Sequence, residues 1–362
     1  MKCLFLGDVC PTTKWSTPWF AAKETKKLFS DTMPLFEGND FNFVNLECAL
    51  TESENRIPKF GPNLQAPAAT AEVLKELGVH CCGLSNNHVF DFGKEGALDT
   101  LKTLEAAGLD WTGFGNDLED SRKNYIVEKD GFTMCVIAVC EHEYSYALED
   151  RMGSRPYDDY DTMDDIKAAK EKYDRVVVIY HGGKEHCGYP SPRLRKLCRA
   201  MSRHGADLVL CQHSHCIGCY EEFEGCHILY GQGNFHFEEG KESNAWNTCL
   251  AVQYDAVANK VEFTPLRTQD NVAFLAKGDD AAEIMAKFEA RNASLQDGSW
   301  KQGWHDFCVS VTQNYLRVLR NTCKEDSTER DNANFAHYLD CEAHTDVWRE
   351  LFPTYNQTNE RD

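Results

Sequence analysis

The chain has 362 residues, of which 42% are hydrophobic and 27% are charged, a balance typical of a globular protein. Its formal net charge of −20 excludes a general nucleic-acid-binding protein, because attraction to phosphates requires a basic surface. The sequence contains no run of about 20 apolar residues for a membrane span and no predicted signal peptide, so we expect a cytoplasmic protein.

The first two predicted strands both lead to a carboxylate. Residues 2–6 form an apolar, β-prone run before Asp8, and residues 41–46 form another before Glu47. A helix is predicted between them, over residues 20–29. Because no basic residue lies near Glu47 in the sequence, its carboxylate would be costly to bury unless a cation met it.

The next strand leads to two amides and an imidazole. Residues 79–82 are apolar enough for a buried strand, and Asn86, Asn87 and His88 follow on a loop. A helix is predicted after this loop, over residues 96–107. Ligands of open α/β sheets bind at such strand ends, where an Asn oxygen can hold a metal and a His can transfer a proton.

The middle of the chain is predicted to contain connecting elements. We expect loops at residues 52–67 and 145–163, the second of which could cover the site, helices at residues 70–77 and 164–173, and strands at residues 110–115, 124–128 and 132–140. The last two strands flank Asp130-Gly131, a hairpin signal that predicts a mixed rather than a purely parallel sheet.

Two further strands lead to histidines. Residues 175–180 precede His181, and residues 207–211 precede His213 and His215. Neutral imidazole is the commonest metal ligand, and this His-x-His pair is the sharpest metal signal in the chain. The helix predicted between the two strands, over residues 192–204, carries five basic side chains that we expect to form a solvated face.

The remaining sequence is predicted to end in helices. Strands are predicted at residues 226–230, 248–254 and 260–266, and helices at residues 281–291, 307–321 and 332–352. We assign the tryptophans of this region, Trp300, Trp304 and Trp348, to packing.

Seventeen cysteines are a high number for this length, and many fall in apolar, strand-like runs. We therefore expect buried free thiols in a reducing compartment. Cys216 and Cys219 form a lone C-x-x-C pair, for which a structural zinc site is the less favoured alternative.

Five strand ends thus deliver carboxylate, amide and imidazole groups, which together suit Mn²⁺, Fe²⁺ or Zn²⁺. The ligands suffice for two ions with one carboxylate between them. Two ions about 3.5–4 Å apart can generate a hydroxide and stabilise the oxygens that enter and leave in a displacement.

As a set, these motifs resemble the CapA/poly-γ-glutamate capsule biosynthesis family, which is itself similar to the calcineurin-like metallophosphoesterases. The motifs that carry the resemblance are Gly7-Asp8, Asn45-Leu46-Glu47, Asn86-Asn87-His88 with Asp91-x-Gly93, His181-Gly182-Gly183-Lys184-Glu185, His213-Ser214-His215 and residues 230–235. The resemblance implies an α/β fold, a metallophosphoesterase-like four-layer α/β/β/α sandwich of two mixed sheets over residues 1–270. A C-terminal helical extension over residues 271–362 would pack on it.

The resemblance also implies roles for individual residues. Asp8 and His215 would hold one metal ion, Asn87, His181 and His213 would hold the other, and Glu47 would bridge the two. His88 would face the substrate and protonate the leaving group or stabilise the transition state. Asn86, Glu185 and Asn234 match family motifs and are candidate substrate-binding residues. Cys10 stands where metallophosphoesterases commonly carry a His.

We expect a metal-dependent hydrolase, a phosphoesterase that uses a metal-bound hydroxide on a small anionic substrate. Two alternatives stay open. One is an amide hydrolase for poly-γ-glutamate-like chains, which the basic helix could receive. The other is a non-catalytic capsule-assembly or binding protein that keeps the fold. No motif in the sequence identifies the substrate or the oligomeric state.

Overall fold

A computed structural model describes residues 1–237 and 245–353. Its strands, in chain order, are β1 (Lys2–Val9), β2 (Phe41–Leu46), β3 (Ala49–Leu50), β4 (Gln65–Ala66), β5 (Cys81–Gly83), β6 (Asp110–Thr112), β7 (Phe114–Gly115), β8 (Tyr125–Lys129) and β9 (Phe132–Cys140). They continue with β10 (Gly153–Ser154), β11 (Arg175–His181), β12 (Leu208–Gln212), β13 (Tyr220–Phe223), β14 (Cys226–Leu229), β15 (Asn234–His236), β16 (Thr248–Asp255), β17 (Lys260–Gln269) and β18 (Val272–Leu275).

The helices, also in chain order, are α1 (Thr17–Ala21), α2 (Thr25–Phe29), α3 (Ala69–Leu77), α4 (Gly93–Ala107), α5 (Leu118–Ser121), α6 (Asp161–Lys172), α7 (Pro192–Arg203), α8 (Gly278–Asp297), α9 (Trp300–Thr322), α10 (Glu329–Asp340) and α11 (Glu342–Leu351). Two 3₁₀ turns cover Ser30–Phe36 and Glu143–Ser145.

Most strands belong to two mixed sheets. The first sheet has the order β18-β17-β16-β1-β2-β5-β6, and β15 also pairs with β1. Its strands β1, β2, β5 and β6 run parallel, whereas β16, β17 and β18 form an antiparallel meander. The second sheet has the order β13-β14-β12-β11-β9-β8, with antiparallel pairs at its two edges. The hairpin predicted at Asp130-Gly131 is the β8–β9 edge.

Three apolar cores separate four layers. On β1, Leu4 and Leu6 face α3 and α4, whereas Phe5 faces the second sheet, because successive side chains of a strand point to opposite faces. The core between the sheets also contains Val136 and Ile179. A third core lies between the second sheet and the pair α6 and α7. The layer order is therefore α/β/β/α, which confirms the predicted fold class.

The C-terminal helices pack on this sandwich through three cores, one of which is the core between the second sheet and the pair α6 and α7, where Leu295 and Trp300 lie. Ile284 and Phe288 of α8 enter the core between the sheets, and α9 to α11 share a smaller core that contains Trp304 and Val347. The predicted division at residue 270 stays a prediction, and β18 continues the first sheet beyond it. Residues 354–362 of the predicted extension lie outside the described residues.

Two helices predicted as continuous are split in the structure. The first, over residues 20–29, breaks into α1 and α2 because Lys23 adopts a left-handed conformation with φ of 57°. The second, over residues 332–352, breaks at Cys341, which is extended with φ of −72° and ψ of 124°. The break lets the His344 ring stack on the Tyr338 ring, with the ring centroids 4.0 Å apart.

The prediction of a surface loop over residues 145–163 was wrong in its middle part. Strand β10 pairs with β7, and both Ser154 and Arg155 are buried. The Arg155 guanidinium donates a hydrogen bond to the Asp165 carboxylate at 2.5 Å, which compensates for the burial of its charge. This segment is therefore part of the packed structure.

The solvated face predicted for the basic helix was wrong for three of its arginines. On α7, Arg193 pairs with Glu141 and Asp346, and both Arg195 and Arg199 pair with Glu221. The partners come from distant parts of the chain, so the helix fastens the second sheet to its surroundings.

The cysteines are free thiols, and every one except Cys323 is buried, as the composition predicts. Within the described residues, no helix combines the length and apolar character needed to cross a membrane.

Candidate metal centre

The carboxyl ends of strands from both sheets meet at one edge of the sandwich. Asp8 lies in the last part of β1, which is longer than predicted, and Glu47 follows β2 directly. His181 ends β11, and the His213–His215 turn follows β12. The structure thus brings together side chains that are more than 200 positions apart in the sequence.

Glu47 lies at the middle of this group. Its side chain is fully buried, and neither carboxylate oxygen has a hydrogen-bond partner. Its Oε1 lies 3.4 Å from His181 Nε2, 3.8 Å from His215 Nε2 and 4.0 Å from His213 Nδ1. Burial and the nearby Asp8 charge raise the pKa of Glu47 well above its usual value. A divalent cation fits this carboxylate, which the protein itself leaves unsatisfied.

The ligand atoms of Glu47, His213 and His215 lie within 4.8 Å of one another, which is close enough for one ion to touch all three. The Nδ1 atom of His213 is buried without a hydrogen-bond partner, as the Glu47 oxygens are. Burial lowers the pKa of His213 well below its usual value. The imidazole therefore stays neutral, the form in which it binds metals.

Asp8 and His215 form the side of the centre nearest β1. The Asp8 carboxylate accepts a hydrogen bond from Asn45 at 2.7 Å, and its other oxygen lies 3.4 Å from His215 Nδ1. Burial opposes ionisation of Asp8, but the interaction with His215 holds its pKa below the usual value. Burial also opposes the charge on His215, yet Glu47 and Asp8 raise the pKa of His215 to about 10. The two carboxylates thus attract positive charge to this point.

His181 and Asn87 form the opposite side. His181 Nε2 lies 2.8 Å from Asn87 Oδ1, and Asn45 contacts His181 Nδ1 at 3.2 Å. Burial lowers the pKa of His181 to about 4, so its ring is neutral at physiological pH. Asn45, which lies in β2 and was not predicted as a site residue, contacts both Asp8 and His181 and so fixes their separation.

The turn that carries His213 and His215 has an unusual backbone. Both residues lie in the left-handed region, with φ of 82° and 55°. Such a conformation costs a non-glycine residue of the order of 1–3 kcal/mol, so the surrounding structure must hold the turn in place. It allows both imidazoles to face Glu47. Asn234 supports the turn, because its Oδ1 lies 2.9 Å from His215 Nδ1 and its Nδ2 donates to the Trp246 carbonyl.

His88 is held by two residues of its surroundings. Its Nδ1 lies 2.7 Å from Asp91 Oδ2 and 3.1 Å from Lys59 Nζ. Lys59 is fully buried, pairs with Asp91 and donates to the Asn87 carbonyl at 2.9 Å. Burial, followed by the Lys59 charge, lowers the pKa of His88 to about 4. Because Nδ1 is engaged, Nε2 is the nitrogen available to a substrate.

The other two predicted substrate residues occupy different positions. Asn86 is fully buried: its Oδ1 accepts from the backbone of His88 and Val89, and its Nδ2 donates to the Leu46 carbonyl. Its side chain thus shapes the loop. Glu185 is partly exposed beside Lys184, 3.4 Å away, and the Lys184 charge outweighs burial and lowers the pKa of Glu185 to about 2. A direct substrate contact by either residue stays a prediction.

His142 belongs to the same cluster and was missed in the sequence. Its ring centroid lies 4.2 Å from that of His213 and 6.1 Å from that of His181. Burial lowers its pKa well below the usual value. The available signal was its position just after β9, a strand that ends at the same edge.

Cys10, by contrast, lies outside this cluster, in the core between the first sheet and its helices. Burial raises the pKa of its thiol well above the usual value, so the thiol stays protonated. A protonated thiol is a poor metal ligand, because the thiolate is the form that binds. The donor set is therefore made of carboxylates, imidazoles and an amide.

Comparison with known proteins relates the first two thirds of the chain to capsule proteins. The sequence model of the family described as "Bacterial capsule synthesis protein PGA_cap" matches residues 2–239. The PGA biosynthesis protein CapA of Bacillus subtilis (strain 168) is 31% identical over 273 residues, which cover 74% of this chain and 71% of that protein. The capsule biosynthesis protein CapA of Bacillus anthracis is 29% identical over 225 residues, 60% of this chain but only 55% of that protein.

Solved structures show a more distant likeness. The 5'-nucleotidase precursor of Thermus thermophilus aligns with 80% of this chain and 58% of its own, at 13% identity and a TM-score of 0.43. A hypothetical protein of the same organism aligns with 76% of this chain and 96% of its own, at 14% identity and a TM-score of 0.42. The layer order described above rests on the packing of this chain alone.

Proposed function

The chain belongs to the PGA_cap family of bacterial capsule synthesis proteins, and we propose that it is a metal-dependent hydrolase, a phosphoesterase acting on a small anionic substrate. The observation that carries the proposal is the Glu47 carboxylate, buried without any hydrogen bond. Burying an ionised carboxylate costs several kcal/mol unless a positive charge compensates it. The surrounding imidazoles are metal ligands by nature, so a divalent cation is the compensation that fits.

The proposed ligands are Asp8, Glu47, Asn87, His181, His213 and His215. Mn²⁺, Fe²⁺ or Zn²⁺ suits this mixture of oxygen and nitrogen donors, and we propose that these residues would together hold two ions. Divalent ions in such a site lower the pKa of water and withdraw charge from the bond that is cleaved.

His88 is the proposed proton carrier. Its Nδ1–H donates to Asp91, so the neutral ring can take a proton at Nε2 and later return it to the leaving oxygen. Asp91 stabilises the imidazolium that forms in between, and Lys59 holds the Asp91 carboxylate in place. Lys59 and Asp91 are thus positioning residues in this proposal, and His88 is the catalytic residue.

The test is a joint measurement of metal content and turnover. Protein purified without a chelator or a His-tag is analysed for bound metal and assayed with an aryl phosphate, before and after EDTA treatment and addition of Mn²⁺. We expect close to two ions per chain, loss of turnover with EDTA, recovery with Mn²⁺, and a large loss in His88→Ala. His204→Ala, which removes an exposed imidazole at the end of α7, is the matched control.

Turnover that is indifferent to EDTA, or equal in His88→Ala and the control, would overturn the phosphoesterase proposal. A second candidate is hydrolysis of a poly-γ-glutamate-related amide, which the name "PGA biosynthesis protein" of the Bacillus subtilis relative favours. Release of glutamate from that polymer, abolished in His213→Ala, would identify it. Bound metal without turnover of either substrate would identify a binding protein instead.

A further inference from the structure

A second concave site lies beside the metal centre. It is a cavity of about 230 Å³ between α8 and the segments that follow β11 and β12. Its lining includes His186, Cys216, Arg267, Lys287 and Arg291. The cavity is therefore rich in cationic side chains, in a chain whose net charge is −20.

Two of these cations are already paired. Arg267 donates to the Asp280 carboxylate, and Lys287 lies 2.6 Å from Glu283, one turn earlier on α8. Because each pair is close to neutral, neither contributes much net positive charge to the cavity.

Arg291 differs from these two side chains. Across residues 1–237 and 245–353, no carboxylate lies within ion-pair distance of Arg291, and its Nε is buried without a hydrogen-bond acceptor. Gly188 makes room for it: a Cβ atom there would come within 3.2 Å of the Arg291 Cδ. A guanidinium with a buried, unbonded N–H is costly, and an anion in the cavity would supply the missing acceptor.

The cavity shares a wall with the metal centre. Cys216 follows His215 directly, and the His186 N–H donates to the Ser214 carbonyl at 2.8 Å. The Trp246 ring lies between the two sites, with its centroid 4.4 Å from the His215 ring and 5.4 Å from the His186 ring. A ligand in the cavity would therefore lie against Cys216, the residue that directly follows the turn presenting His213 and His215.

We propose that this cavity is an anion-binding subsite in which Arg291 binds a carboxylate or phosphate group. The role of this subsite rests on the proposed function: it would hold a second anionic group of the substrate, next to the group at the metal centre. A guanidinium group binds a carboxylate and a phosphate in the same way, through two parallel hydrogen bonds. Experiment therefore decides which of the two the subsite binds.

The test measures binding without metal, so that it does not depend on hydrolysis. Full-length protein is stripped with EDTA, desalted and titrated calorimetrically with γ-glutamylglutamate and, separately, with inorganic phosphate. We expect at least one probe to bind, and Arg291→Ala to weaken that binding at least tenfold. Arg317→Ala, which removes an exposed arginine from α9, should leave it unchanged, and Arg291→Lys should give an intermediate loss.

Binding of the dipeptide alone would assign the subsite to carboxylates, and binding of phosphate alone to phosphates. Failure of both probes to bind at millimolar concentration, or equal affinity in Arg291→Ala and the control, overturns the proposal. If Arg291→Ala does not fold, the wild-type protein decides: modification of Arg291 by phenylglyoxal, mapped by mass spectrometry, should be slowed by the probe that binds. No turnover in the earlier assay, even after Mn²⁺ is added, together with probe binding that depends on Arg291 would overturn the hydrolase proposal and leave the subsite proposal intact.

Discussion

Glu47 and Glu221 are both buried glutamates, and their surroundings are opposite. Glu221 accepts hydrogen bonds from Arg195, Arg199 and Tyr230, which outweigh burial and lower its pKa to about 2. Glu47 accepts no hydrogen bond, and burial raises its pKa well above the usual value.

A structural buried carboxylate and a functional one differ in whether hydrogen-bond donors surround them. This chain can satisfy a buried glutamate completely when that residue only fastens a helix to a strand, as Glu221 does between α7 and β13. Around Glu47 the chain places imidazoles and a second carboxylate, none of which donates a hydrogen bond to the Glu47 oxygens. The fold alone does not need such an arrangement.

The largest expected effect is on activity. Glu47→Gln keeps the shape but removes the charge, so turnover should fall roughly a thousandfold, about 4 kcal/mol of transition-state free energy. In protein stripped of metal, the same variant should melt close to the wild-type temperature, because the raised pKa already leaves the Glu47 carboxyl largely uncharged there. Steady-state kinetics and calorimetric melting check both. Equal turnover would show that Glu47 is only structural.

Substitution of Glu221, whose carboxylate is fully hydrogen-bonded, should lower stability instead of activity. Glu221→Ala leaves two arginines and a tyrosine without their acceptor, and we expect a loss of about 3 kcal/mol in the free energy of unfolding. Metal content should be unchanged. Urea unfolding measures the loss, with Glu224→Ala, an exposed glutamate in the turn after β13, as the control. A Glu221→Ala protein as stable as the control would contradict the comparison.

Added metal should stabilise variants of the two glutamates to different extents. Mn²⁺ at about 100 times its dissociation constant should stabilise the stripped wild-type protein by about 2.7 kcal/mol. Glu221→Gln should respond in the same way, whereas Glu47→Gln should respond weakly or not at all. Thermal melts with and without Mn²⁺ provide the measurement, and an equal response in both variants would argue against a metal at Glu47.

A smaller effect is expected from a residue that touches the centre only through another side chain. Asn234 holds the Nδ1 side of His215, so Asn234→Ala should lower metal affinity by about 10- to 100-fold. Competition with a fluorescent chelator measures the affinity. Rescue by Asn234→Asp, which restores an acceptor for His215, would distinguish positioning from general damage.

The smallest effect is confined to acid. Because the pKa of Glu221 is about 2 in the folded protein and about 4.3 in unfolded chains, Glu221 stabilises the fold above pH 4.3. That contribution is lost as the pH falls towards 2. The stability difference between wild type and Glu221→Gln should therefore shrink between pH 5 and pH 3 in urea titrations. A difference that is constant over this range would contradict the depressed pKa.

Much of the fold was readable because it depends on local pattern. Apolar runs followed by polar residues located β1, β2, β11 and β12, and the structure does bring Asp8, Glu47, His181, His213 and His215 to one edge. The ligand roles of these residues stay predictions, because proximity alone does not identify an ion.

The errors came from contacts between distant parts of the chain. Lys59 was assigned to a surface loop, since nothing near it in sequence reveals that Asp91 draws its ammonium group into the interior. The basic face of α7 looked solvated because Glu221 and Asp346, its partners, lie far away in the sequence. The break at Cys341 was hidden for the same reason: the helical pattern continues across it, and only the stacking of His344 on Tyr338 shows why the chain turns.

Because almost all thiols are buried, their rates of labelling can report which part of the protein unfolds locally. Maleimide dyes react with thiolates, so Cys323, the one exposed cysteine, should take up dye first and mark the end of α9. Cys198 and Cys211 lie in contact in the outer core of the second sheet, and Cys341 lies between the last two helices. The order in which these sites become labelled over hours would show which part of the molecule opens first.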